Sequence, residues 1–271
     1  PFFLFLHGFD PHRPYRSEPA DRRALGLPGQ RTRGLKQACQ SGRAPDNLDR
    51  HLAEYDAAVH RGDRSLGRFL AGLDELGHGS DTVVVFTSDH GEEFYEHQRW
   101  GHGKTLYNEQ LAVPLIFKLP GQIGAGVMVD EIAQHKDLLP TLLEFLGLQI
   151  PQGVQGRSLW PMILLGKDEV SNQAISHLDL DGRKMDSIQV DGKKLIQTLP
   201  SDLSYHSIKM FDLTDDPNET NDMVRVRPIL TGYLLSLLRG ALLKQPQLLT
   251  ASDAVIGGEL EDRLRALGYI R

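Results

Sequence analysis

Between Asp89 and Lys104 the chain reads DHGEEFYEHQRWGHGK. Asp89 and His90 stand side by side and offer a carboxylate oxygen and an imidazole nitrogen, donors that suit a divalent cation. His97, His102 and Lys104 follow in the same stretch, the last two set among glycines. A fixed ammonium such as that of Lys104 stabilises charge on the oxygens of a transferring group. Hydrolysis of an anionic ester asks for a nucleophile, an electrophile for the non-bridging oxygens and an acid for the leaving group. Taken alone, an Asp-His pair reads equally well as a turn cap with a locally packed histidine. The polar loop behind it, too hydrophilic to be core, favours a site.

Positioning the pair falls to the run before it. Residues 82–86 are short, apolar and β-branched, and predict a strand buried on both faces that ends at Thr87-Ser88. Gly91 then frees the backbone to turn. Buried parallel strands deliver the residues at their carboxyl ends to the crevice where open α/β sheets bind ligands. Residues 2–6 predict a second buried strand, followed by a loop containing His7 and the triplet Asp10-Pro11-His12. His12 sits beyond a strand end as His90 does; by itself it also reads as a surface histidine, and His7 as a structural one. These placements predict that His12, Asp89, His90 and Lys104 surround one cleft at the carboxyl edge of the sheet.

Asp46 or Asn47 can cap a helix whose face carries Leu52, Tyr55, Val59, Leu66, Phe69, Leu70, Leu73 and Leu76, with Gly77 as its stop. A helix directly before a strand supports a mostly parallel sheet. Residues 105–112 predict a helical turn or two and residues 113–118 a strand. A helix starts at His135-Lys136-Asp137 and stops at Gly147, with Pro140 near its first turn. A short helix follows near Trp160. The polar stretch 166–172 predicts a boundary, dividing the chain into 1–170 and 171–271. Beyond it the hydrophobic period drops to two over 174–180, 184–190 and 193–198, with Asp181-Gly182 and Asp191-Gly192 as hairpin turns and 208–212 as an added strand. Residues 228–243 and 259–267 predict helices. The fold class is therefore α/β: a mostly parallel central sheet flanked by helices, and a smaller C-terminal antiparallel sheet with a helix.

Bulk properties exclude some partners. The net charge is −6 and the pI about 6.0, so nothing draws the whole chain to nucleic acid or an acidic membrane. No apolar run approaches the roughly 20 residues that span a bilayer. Residues 13–43 are rich in Arg, Pro and Gly without periodicity and predict a long basic loop, either drawing an anion or simply solvated. Cys39 is the single cysteine and cannot form an internal disulfide. The chain opens on Pro1-Phe2-Phe3, without an initiator Met or a leader, and reads as entering a strand midway.

The residues quoted carry a resemblance. SDHGEEFYEHQRWGHGKTLYNEQLAVPLIF resembles the metal-binding strand and loop of the sulfatase family, within the alkaline-phosphatase-like superfamily. PFFLFLHGFDPHRPY, LLPTLLEFLGLQIPQGVQGRSLWPMI and MFDLTDDPNETNDM resemble further family segments, in family order. The resemblance implies sulfuric ester hydrolysis and an alkaline-phosphatase-like fold. It assigns His12 to contact with the sulfate ester and protonation of its leaving oxygen, Asp89 and His90 to the metal, and Lys104 to the sulfate, with His102 as its rival for that contact. It implies calcium, with manganese or zinc as alternatives, and a formylglycine upstream of this chain. Imidazole at position 90 leans slightly away from calcium. Cys39, in Cys39-Gln40-Ser41-Gly42-Arg43, departs from the formylglycine signature at Ser41 and in its place along the chain. The expected chain is thus a fragment, inactive alone, whose substrate is a sulfated small molecule or glycan and whose compartment is periplasmic or secreted. The D-P-x-E likeness of Asp216 to Glu219 reads as a surface turn rather than a calcium loop. Two rival readings stand: a phosphonate or phosphodiester hydrolase or phosphoethanolamine transferase of the same superfamily, and a non-catalytic anion-binding module.

Overall fold

Helix α1 (Pro19–Ala24) begins on a proline, whose fixed φ suits a first helical turn. It lies against α2 (Leu48–Glu75) in the computed structural model of the chain, which describes residues 2–28, 48–119, 121, 125–165, 173–180, 182–199 and 207–244. Arg22 pairs with Glu54, both buried, and Arg64 grips Asp21 at 2.9 Å and Glu18 at 2.8 Å. Residues 19–24 of the expected basic loop are therefore a short helix, with Asp21 and Arg22 paired to α2. From residue 29 the loop, Cys39 included, lies outside the described residues, as do the expected caps Asp46 and Asn47. The buried line on α2 is His51, Glu54, Ala57, Ala58 and Leu73, whereas Val59 and Leu76 of the expected apolar face are exposed. Part of this helix meets the charges of α1, and polar groups are buried there because each finds a partner.

Strand β1 (Val84–Thr87) is followed by a two-residue ribbon, β2 (Glu93–Phe94) with β3 (Trp100–Gly101), then by helix α3 (Asn108–Leu111) and strand β4 (Leu115–Lys118). β4 returns antiparallel onto β1, from Val84 opposite Lys118 to Thr87 opposite Leu115. Two expectations change here. Residues 82–86 are not buried on both faces, since Phe86 keeps 39% of its surface and Ile116 of β4 keeps 58%. Residues 2–6 form no strand and Phe3 is 85% exposed. An apolar run becomes a buried strand only against neighbours that pair with it, and among the described residues these two runs have none but β4. The strand pairs described are all antiparallel, so the parallel neighbours of the expected sheet are not seen among them.

A 3-10 turn (His135–Asp137) leads into α4 (Leu138–Phe145), with Pro140 in its first turn, and α5 (Trp160–Leu165) packs Trp160 edge-on to Phe145 at 5.0 Å. The meander then follows as expected: β5 (Gln173–Leu180), β6 (Arg183–Val190), β7 (Lys193–Leu199) and β8 (Ser207–Asp212) pair antiparallel in chain order. Asp191 and Gly192 turn with φ of 47° and 73°, the paired positive values of a type I′ hairpin. Alternation sorts the side chains by face. Ile188, Val190, Leu195 and Met210 meet Leu234 and Leu238 of α6 (Pro228–Lys244) on one face. Met185, Ile196 and Phe211 meet Leu106 and Tyr107, just before α3, on the other. Each such burial is worth about 1.5–3 kcal/mol, so this sheet carries a two-sided core. The helix expected over 259–267 lies outside the described residues.

Candidate functional site

Two hydrogen bonds hold the end of β1. Ser88 Oγ donates to the His90 carbonyl at 2.8 Å, and His135 Nε2 donates to the Ser88 carbonyl at 2.8 Å. The Gly91 N–H donates to the Gln110 carbonyl at 2.9 Å. A Cβ at Gly91 would stand 2.1 Å from the Glu109 carbonyl oxygen. Gly91 has no left-handed φ; glycine is required for the close passage of the α3 backbone, not for the expected turn.

Three imidazoles lie in a row beyond this point. The rings of His90 and His102 are 4.0 Å apart between centroids, and those of His102 and His12 are 5.2 Å apart. Each ring has its Nδ1 against an oxygen: His12 against the Arg13 carbonyl at 2.7 Å, His90 against the Gly91 carbonyl at 2.8 Å, His102 against Glu92 Oε1 at 2.9 Å. Carbonyl and carboxylate oxygens accept, so Nδ1 carries the proton in all three, and each neutral ring keeps its lone pair at Nε2. His12 Nε2 is buried and has no hydrogen-bond partner among the described residues. His90 Nε2 lies 3.8 Å from Asp89 Oδ2. Two oxygen or nitrogen ligands of one calcium stand at most about 5 Å apart, so the pair fits a single cation. Among the described residues no group of three or more such donors gathers in metal-holding geometry.

His97 differs from these three. Its Nδ1 meets Glu109 Oε1 at 2.7 Å, its Nε2 meets the Glu219 carbonyl at 3.0 Å, and its ring stacks on Tyr107 at 3.6 Å. Both nitrogens are engaged, and the side chain joins the loop to the turn at Glu219. Burial pushes the Glu109 carboxyl up from its usual range, against the pull of His97.

Glu93 shapes the loop that carries His102 and Lys104. This buried carboxylate accepts from His97 N at 3.2 Å, Arg99 N at 2.7 Å, Thr105 Oγ at 3.1 Å and Gln110 Nε2 at 2.9 Å. Lys104 Nζ donates to the Trp100 carbonyl at 2.6 Å. Trp100, Phe94, Tyr15 and Ala58 form a small core under the loop, which links it to α2. Asp89, His90, His102 and His12 thus form one chain of contacts, with Lys104 on the same loop as His102. Residues that sequence reasoning passes over are Glu92, Glu93 and Tyr15. Nothing in the spacing separates Glu92 and Glu93 from the solvated Glu96.

The C-terminal turn also departs from expectation. Asp216 caps it, accepting from Thr220 N at 3.1 Å and Asn221 N at 2.8 Å. Glu219, however, is buried, pairs with Lys194 at 2.8 Å and accepts from the Asn108 N–H at 2.6 Å. This is a fastening between α3 and the C-terminal sheet, not a free surface turn.

Comparisons with known proteins bear on the family and the fold. Residues 1–148 of the 271 match the family model described as sulfatase, and residues 96–230 that of the N-sulphoglucosamine sulphohydrolase C-terminal region. The chain is 33% identical over 186 residues to the multifunctional alkaline phosphatase superfamily protein PehA of Trinickia caryophylli, a match covering 63% of this chain and 36% of that protein. It is 31% identical over 195 residues to an endo-4-O-sulfatase of Bacteroides thetaiotaomicron, covering 68% of this chain and 37% of that one. A solved structure of a protein in complex with its substrate, D-glucosamine-2-N,6-O-disulfate, superposes with a TM-score of 0.66 at 25% identity, over 75% of this chain and 44% of that one. The chain spans less than half the length of each of these proteins. With one family match over more than half of its residues, and relatives and a solved structure that agree with it, the chain belongs to the sulfatase family and has the alkaline-phosphatase-like α/β fold.

Proposed function

We propose that this chain carries the metal-holding and leaving-group side of a site for sulfuric ester hydrolysis. The observation that carries the reading is the row of His90, His102 and His12, their rings 4.0 and 5.2 Å apart and each with Nδ1 against an oxygen. Asp89 and His90 would hold a divalent cation, calcium first and manganese or zinc otherwise, through Oδ2 and Nε2. Bound there, the ion would polarise the non-bridging oxygens of the ester. His12 as an imidazolium would place its Nε2 proton towards the leaving oxygen; the Arg13 carbonyl keeps its Nδ1 proton in place while Nε2 gives and takes. His102 and Lys104 would bind the sulfate oxygens by donated protons and positive charge. A formylglycine, as in the family generally, belongs to the same proposal, as do a sulfated glycan or small sulfate ester as substrate and the division at about residue 170. The separate core of the C-terminal sheet with α6 supports that division.

Calorimetric titration of the chain with calcium, manganese and zinc tests the metal pair. Asp89→Ala and His90→Ala should each weaken binding, because a lost ligand must be replaced by water. Lys104→Ala should leave metal affinity intact and weaken inorganic sulfate by roughly tenfold or more, the loss of one charge-assisted hydrogen bond. Full metal affinity in His90→Ala sinks the assignment. A second reading, hydrolysis or transfer of a phosphonate or phosphodiester, is favoured by the imidazole at position 90 and by the likeness to PehA. Inorganic phosphate outcompeting sulfate would support it. A purely anion-binding role would show as sulfate binding without turnover of an aryl sulfate in any longer form of the protein.

A further inference from the structure

Glu92 lies at the junction of three segments. Its Oε1 accepts from His102 Nδ1 at 2.9 Å, and its Oε2 accepts from the Tyr15 hydroxyl at 3.0 Å. A Cβ placed on Gly101 would stand 3.1 Å from Arg13 Nη2 and 3.4 Å from Glu92 Oε1, so the guanidinium, the carboxylate and the Gly101 backbone crowd one spot. Only 6% of the Glu92 side chain is exposed. Tyr15 is itself buried among Tyr55, Phe94 and Ala58, with its ring 5.6 Å from Tyr55 and 5.9 Å from Phe94. The hydroxyl that holds Glu92 is therefore fixed by the packing of α2.

We propose that Glu92 is a positioning residue: with Tyr15 it fixes the ring orientation and the tautomer of His102, so that His102 Nε2 faces the substrate anion between His12 and His90. The inference rests on the sulfate-binding role proposed for His102. The physical argument is that of a carboxylate behind a ligand histidine. An imidazole on a glycine-flanked loop has two orientations and two tautomers open to it. A buried oxygen acceptor at Nδ1 leaves one of each. His12 and His90 have main-chain carbonyls in this role, supplied by their own neighbours in sequence. Gly101 and Gly103 flank His102 with left-handed φ of 80° and 70°, and its acceptor is a side chain from ten residues earlier. That acceptor can be removed by substitution, which a carbonyl cannot.

The test reads the tautomer directly. Long-range proton–nitrogen NMR of the histidine rings, recorded on the wild-type chain, should show His102 protonated at Nδ1, with that proton shifted downfield by its carboxylate acceptor. Glu92→Gln should move the same proton upfield, since a neutral amide is a weaker acceptor. Glu92→Ala should lose the signal to exchange and mix the two tautomers, with the His12 and His90 resonances in place. Inorganic sulfate should perturb His102 in the wild type, and Glu92→Ala should weaken that titration roughly tenfold, as loss of an outer partner does at other histidine sites. A wild-type His102 protonated at Nε2 alone, or a Nδ1 proton indifferent to Glu92→Gln, overturns the proposal; both readouts survive if the alanine variant fails to fold. A correct tautomer with no response to sulfate leaves Glu92 as the partner of His102 and overturns the sulfate role on which the inference rests.

Discussion

The two larger sheets of this molecule end in different states, and the one with the more apolar strands is the less covered. In the C-terminal meander Ile188, Leu195 and Met210 are fully buried, with α6 on one face and Leu106 and Tyr107 on the other. In the β1–β4 pair Phe86 and Ile116 remain exposed. The difference lies in where partners come from. Each meander strand pairs with its sequence neighbour across a short connection, so local pattern and turn chemistry assemble the sheet. β1 must be covered by segments distant in sequence, and β4 supplies one edge only. The candidate site sits at the end of the less covered strand, and the following α3 is fastened to the better covered sheet through Glu219 and Lys194.

That fastening gives the largest expected effect. Lys194 Nζ lies 2.8 Å from Glu219 Oε1 and donates to Asn108 Oδ1 at 2.8 Å, with 1% of either charged side chain exposed. Burial pushes the Lys194 ammonium pKa down, and the Glu219 carboxylate resists this. Lys194→Ala would strand a buried carboxylate, and should cost about 3–5 kcal/mol in denaturant unfolding. The double variant Lys194→Met with Glu219→Leu should lose less than Lys194→Ala. A Lys194→Ala chain as stable as wild type would break the contrast between an anchored and an open sheet.

The contrast itself can be sharpened with matched truncations. Leu195→Ala in the meander should cost roughly 2–5 kcal/mol, through lost burial and a residual cavity. Ile116→Ala on β4 should stay within about 0.5 kcal/mol, as exposed positions do. Equal losses in thermal or urea unfolding would mean that β4 is covered by something the exposure of Ile116 does not reveal.

The smallest effect concerns α1. Burial pushes the Asp21 carboxyl up, but hydrogen bonds from Arg64, the Glu18 N–H and His60 outweigh it and hold the pKa at about 2, against an ordinary 3.8. The folded value is the lower one, so unfolding takes up protons between the two. The stability from this carboxylate is complete above the ordinary value and is lost as pH falls towards 2. Unfolding midpoints measured from pH 5 to pH 2 should therefore fall less steeply in Asp21→Asn than in wild type. Identical slopes would remove Asp21 from the acid response.

Some of this was legible in the residues and some was not. The meander, its type I′ turn at Asp191-Gly192, the long helix and the helix after Pro228 follow from period and turn chemistry, which act over a few residues. Asp89, His90 and His12 stand out as candidates by type and by place after apolar runs, His102 and Lys104 by the polar, glycine-rich stretch they share with His90. Their proximity is another matter: 77 residues separate Tyr15 from Glu92, and 122 separate His97 from Glu219. No periodicity reports on contacts of that range. The same limit explains Glu54 and Arg22, two charges that a polarity pattern sends to solvent and a partner keeps inside.

The sequence by itself determined most element types, though not the strand expected over residues 2–6, together with the antiparallel sheet and the gathering of His90, His97, His102 and Lys104 in one polar stretch, because each depends on neighbouring residues. Tertiary structure alone decided which nitrogen each histidine presents. That choice is made by an oxygen at Nδ1: a carbonyl next door for His12 and His90, a buried carboxylate for His102. It also decided that His97 is a strut rather than a ligand, since both its nitrogens are taken by groups the fold brings to it. A side chain's chemistry is written in its type, but its free atom is whatever its packed neighbours leave.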